Sequence, residues 1–250
     1  MFDNISLPTI IISYVALLFS LSVHEACHAG MAYLLDDDTA ARLGRLTLNP
    51  IAHMDPLGTV IFPLMGLVFG GFFIGWAKPV PFNPAKFTRK IRVKVGDALV
   101  SSAGPASNVV LALLFTIALA LSVRFSEAGP QGRVYLLRAA LTGPESLRML
   151  ELSVTQVALF GLGGALIKIN ILLAIFNMIP LGPLDGAGVL RGFIPDRSLY
   201  RYDQLRYHPY MWLGLMLLMF TGVIGFFLSP IWRFIFNTLL HLAGLILGVY

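Results

Sequence analysis

Residues 7–35 read LPTIIISYVALLFSLSVHEACHAGMAYLL, an apolar run with no Lys or Arg and no Pro after Pro8. About 20 apolar residues cross the hydrocarbon of a bilayer, so this length predicts one membrane-spanning helix. His24, Glu25 and His28 lie inside it. Positions four apart on a helix share one face, a turn apart. Two imidazoles so placed suit a single Zn²⁺, with Glu25 beside them as a base for an activated water. Ionisable groups at membrane depth are costly, and by default they mark a functional site.

The 250 residues are 57% hydrophobic and only 12% charged, about half the charged share of a soluble domain. That composition predicts a polytopic protein of the lipid bilayer. The net charge of +5 then reads as loop topology, not as a nucleic-acid surface, because Lys and Arg gather in cytoplasmic loops. The first apolar run lacks a leading basic segment and is too long for a signal-peptide core. A lone cysteine, Cys27, rules out an intrachain disulfide and a Cys-built zinc site, and it reads as a small packing residue. No loop carries an apolar core of its own. One membrane domain over 1–250 is therefore expected, with a core at 7–190 and C-terminal helices at 207–250.

Outward from the first run, Asp36, Asp37 and Asp38 read as a solvated stop signal. Residues 39–56 carry short alternating runs broken by Gly44, Asn49-Pro50 and Asp55-Pro56, a pattern that predicts a short β-hairpin. His53 and Asp55 fall there, as local partners of the turn backbone. Residues 57–77 are apolar but punctuated by Pro63, Gly66, Gly70, Gly71 and Gly75. Residues 78–94 form the most basic loop. A second span is expected at 95–123, and a mixed-charge loop with a surface amphipathic helix at 124–153. The third span, 154–179, ends in Asn177-Met-Ile-Pro-Leu-Gly-Pro-Leu-Asp185-Gly186. Pro180 and Pro183 place Asp185 on extended backbone just past that helix. A basic loop at 191–206 leads to one or two C-terminal helices, broken near Ser229-Pro230. The fold class is thus an all-α polytopic membrane protein. It has three core transmembrane helices, a re-entrant segment, a short β-hairpin and one or two C-terminal helices.

A zinc site needs at least three protein ligands. His53, His208 and His241 remain, but Asp185 is prominent, because its Pro-bracketed backbone is of the irregular kind tolerated only around a site or cavity. If Asp185 shares a depth with His24 and His28, an even number of crossings separates them. The spans at 95–123 and 154–179 supply two, so 57–77 must be re-entrant or a hairpin. The 36–94 and 182–206 loops then share one side with twelve Lys or Arg, against four in 124–153. Charge bias puts that side in the cytoplasm.

His24-Glu-Ala-Cys-His28, Ala103-Gly-Pro-Ala-Ser-Asn108 and Asn177-x-x-Pro-x-x-x-x-Asp185-Gly186 together resemble the site-2 protease family. So do the Leu-Asn-Pro-x-x-His-x-Asp-Pro-x-Gly and Trp-Ala-Lys-Pro-Val-Pro stretches of compact bacterial members. The resemblance covers about residues 7–190. It implies one Zn²⁺ per chain on His24, His28 and Asp185, with Glu25 as general base and Asn177 orienting Glu25 or the oxyanion. Asn108 has a similar claim, against a plain interhelical hydrogen bond. It further implies cleavage of transmembrane protein substrates in the bilayer, in a bacterial cytoplasmic membrane, with the active site toward the cytoplasm. No PDZ domain or CBS pair is present in these residues. A strand at 39–50 would pair with the unwound substrate. The competing class is a zinc-binding membrane protein without protease activity, such as a transporter or inactive scaffold. Transporters carry polar groups along several helices, whereas here they cluster at one depth.

Overall fold

The computed structural model describes residues 6–61 and 76–248. α1 (Leu7–Leu34) is followed by two one-turn helices, α2 (Thr39–Arg42) and α3 (Pro50–His53), and then by α4 (Val93–Arg124). α5 (Pro130–Thr142) and α6 (Pro144–Arg148) lead to α7 (Val154–Asn177). α8 (Asp185–Phe193), α9 (Asp196–Arg206), α10 (Tyr210–Phe220) and α11 (Val223–Leu247) complete the chain. Among the described residues α1, α4, α7 and α11 are long and apolar enough to cross a membrane. The protein is therefore an integral membrane protein built of helices.

α4 is the hub. It packs against α1, α7, α8 and α11, and α1 packs on α7 as well. Leu119 and Val123 of α4 meet Ile167 and Ile171 of α7 in an apolar core that α11 closes with Ala243 and Leu247. In α7, Ser153 and Gln156 form a capping box that satisfies the first amides of the helix.

Several expectations are corrected. No strand occurs among the described residues, so the hairpin at 39–56 is absent and a substrate-pairing strand at 39–50 falls with it. The punctuation starts helices instead. Asn49 caps α3 by accepting from the Ile51 amide, and Pro50 sits in its first turn, where a missing N–H costs nothing. His53 and Asp55 do bond locally, to the Thr47 carbonyl and to the Leu57 and Gly58 amides. Asp37 is wholly buried, not solvated, and accepts from the Thr39 and Asn83 amides, tying the end of α1 to a distant loop.

The 124–153 stretch holds two helices, α5 and α6, and α5 packs on α7. The Ala140 carbonyl of α5 comes so close to Gly164 that a Cβ there would sit 2.0 Å from it, so only glycine lets α5 lean into α7. The 191–206 stretch is helical, held by ion pairs. The C-terminal break falls at Gly222, which takes φ 74°, and Pro230 lies inside α11. The re-entrant reading of 57–77 rests mostly on residues outside the described set. Its described ends meet, since the Trp76 amide donates to the Gly58 carbonyl.

Candidate metal centre

His24 and His28 face α4 from the C-terminal half of α1, both almost fully buried. Asp185 reaches them from the other end of the sequence. It is the first residue of α8, and not on extended backbone; Leu184, the N-cap, is extended. The proline-ruled turn therefore ends one residue sooner than its sequence implies. Gly186 makes the turn passable, because a Cβ there would lie 2.3 Å from the Met178 carbonyl oxygen. His24 Nε2 stands 3.1 Å from Asp185 Oδ2, and His28 Nε2 stands 3.3 Å from Oδ1. The two Nε2 atoms are 3.0 Å apart.

The donor set is suited to a cation. His28 Nδ1 lies 2.7 Å from the Val100 carbonyl, which can only accept, so Nδ1 carries the proton and Nε2 a lone pair. His24 Nδ1 lies 2.6 Å from Asn108 Oδ1, with the same consequence. In the neutral rings, then, two imidazole lone pairs and a carboxylate converge, and buried Asp185 Oδ2 has no hydrogen-bond donor. Such an array is repulsive by itself, and a divalent cation resolves it. Among the described residues these three are the group of His, Cys, Asp and Glu side chains placed to share an ion. Gly104 leaves room for it: a Cβ there would lie 2.4 Å from His28 Nε2 and 2.6 Å from His24 Nε2.

Glu25 stands outside that donor group. Its Oε2 accepts from the Val80 amide at 2.9 Å. The segment carrying Val80 is itself held, with the Lys78 amide on the His53 carbonyl and buried Arg45 donating to the Lys78 carbonyl. Asn177, at the last position of α7, donates to the Leu173 carbonyl of its own helix. Cys27 is half-buried and outside the donor group.

The sequence reading overlooked two sets of residues. Asn170 and Ser20 are wholly buried and extend the hydrogen bonding behind Asn108. Asn170 is an amide in the middle of an apolar span, a signal open to notice. Asp97 of α4 is buried against Arg206, 2.7 Å away, while Arg191 of α8 makes a bidentate pair with Asp203 of α9. Tyr202 closes this network by donating to the Ala187 carbonyl, two residues past Asp185.

The model of peptidase family M50 matches residues 12–221. The chain belongs to peptidase family M50, the site-2 protease family. It is 32% identical over 211 residues to YwhC of Bacillus subtilis, covering 84% of this chain and 80% of that protein. YwhC bears a provisional name as a zinc metalloprotease. It is also 30% identical over 174 residues to Rip2 of Mycolicibacterium smegmatis, provisionally named likewise, across 69% of this chain and 53% of Rip2. No solved structure matches it significantly. With four membrane-length helices among its described residues, this M50 member is a membrane metalloprotease whose family implies zinc.

Proposed function

We propose that this M50 protein is an intramembrane zinc metalloprotease that cuts membrane proteins within or near their transmembrane segments, as in regulated intramembrane proteolysis. His24, His28 and Asp185 hold the zinc. Bound there, zinc supplies Lewis acidity and lowers the pKa of water toward neutrality. Glu25 takes the proton of the attacking water and returns it to the leaving amine nitrogen. Its bond to the Val80 amide fixes the carboxylate and leaves the other oxygen for that proton. Asn177 orients the reacting groups in this reading with the amide hydrogen and oxygen that its bond to the Leu173 carbonyl leaves over. The observation that carries the proposal is the convergence of two imidazoles and a carboxylate, with Glu25 one residue from His24, in a protein with helices of membrane length.

The whole chain acts as one domain, with α10 and α11 appended to the catalytic core. The excess of Lys and Arg on the loops at the Asp185 end supports a bacterial cytoplasmic membrane with the site toward the cytoplasm. Helical amides are shielded, so substrates should carry helix-breaking residues near the cut. The test is cleavage of a panel of membrane-span fusions by purified protein, wild type beside Glu25→Gln, with zinc assayed in both. Cleavage should fall about 10²–10⁴-fold with zinc retained. Equal cleavage by both, or a folded wild type without zinc, overturns the reading.

A further inference from the structure

Asn108 presents its oxygen to His24, and an amide has two ends of nearly equal shape, so something must choose between them. The choice is made on α7. Asn108 Nδ2 donates to Asn170 Oδ1 at 2.8 Å. Asn170 Nδ2 in turn donates to the Leu166 carbonyl and to Ser20 Oγ, each at 2.8 Å, which uses both of its amide hydrogens. The Leu166 carbonyl can only accept. It therefore fixes the Asn170 amide with nitrogen toward itself, which turns the Asn170 oxygen toward Asn108. Asn108 must then offer nitrogen to Asn170 and oxygen to His24, whose Nδ1 must carry the proton. Ser20 lies one turn before His24 on α1, so the ring closes on the helix where it began. Ser20, Asn108 and Asn170 are each 0% exposed, and no water competes for these bonds.

We propose that Asn170 is a positioning residue for the metal ligand His24. Acting through Asn108, it sets which imidazole nitrogen carries the proton and so presents the Nε2 lone pair to the metal. This rests on the reading of His24 as a ligand, not on the protease activity.

The experiment measures zinc affinity of the purified full chain by competition with a chelator. Asn170→Leu is made in the wild type and in Asn108→Asp. A carboxylate at 108 accepts from His24 whichever way it turns, so it no longer needs Asn170. The expected result is about a tenfold loss of affinity in the Asn108 background and less than about a twofold loss in the Asn108→Asp background. A role in packing alone costs the same in both, and that outcome overturns the proposal, as does no loss in either. Should Asn170→Leu not fold, Asn170→Ser replaces it. Its hydroxyl bonds the same Leu166 carbonyl but withdraws from Asn108, and it should show the same dependence on background. A wild type that holds zinc and shows the dependence but cleaves nothing overturns only the protease reading. A folded wild type that binds no zinc overturns both.

Discussion

The candidate metal centre is held from two sides by different physics. On the α1 side, His24 leans on neutral groups: Asn108, Asn170 and Ser20, all wholly buried among helices of membrane length. On the α8 side, the helix that begins with Asp185 is latched to α4 and α9 by charges: Asp97, Arg206, Arg191 and Asp203. Where the surroundings are apolar, a neutral amide fixes direction without the desolvation penalty of a buried ion. Near the loops, Arg191 and Arg206 keep 15% and 10% of their side chains exposed, and charge becomes affordable. One side secures a proton position, the other the place of a helix.

The comparison breaks if the charged side proves dispensable. Asp97→Asn leaves Arg206 without its carboxylate and should cost about 3–5 kcal/mol. Equilibrium unfolding in detergent measures this, and zinc affinity should fall with it as α8 loosens. An unchanged midpoint would mean that apolar packing alone holds α8. The neutral side predicts a smaller and different loss. Asn108→Leu should lower zinc affinity about 10–100-fold, by a factor that is the same at low and high salt. A salt-dependent factor would show that charge reaches the His24 side too. The smallest effect belongs to the exposed margin. The Lys94 ammonium, 2.7 Å from Asp196, holds that carboxyl below the usual carboxylate range. Its tie is therefore present above about pH 4 and is lost as pH falls through the lowered value. Asp196→Asn should cost little at neutral pH and remove that acid-side loss of stability; an unchanged acid limb would place it elsewhere.

Much of the site could be read from side-chain periodicity. His24 and His28 fall on one face because helix geometry leaves no other arrangement, and Asp185 stood out as an acid beside an apolar span. The misreadings have two causes. At Asp37, at 39–56 and at 191–206, local signals of turn or exposure were outweighed by partners far along the chain: the Asn83 amide, the loop at 78–80 held by Arg45, and Asp97. Asn49-Pro50 starts a helix as readily as it closes a hairpin, and local sequence does not choose between them.

By itself, then, the sequence determined the membrane helices, the pair of histidines with Glu25 between them, and the family. The helices and the histidine pair follow from hydrophobic length and from a 3.6-residue period, which are local properties of a chain; the family follows from the resemblance of its motifs. Only the tertiary structure decided that Asn108 faces His24, that Asn170 and Ser20 stand behind it, and that charges seat Asp185. Each of those depends on which helices meet at one depth. Hydrogen bonds and ion pairs act over a few ångströms, and the partners here lie dozens of residues apart.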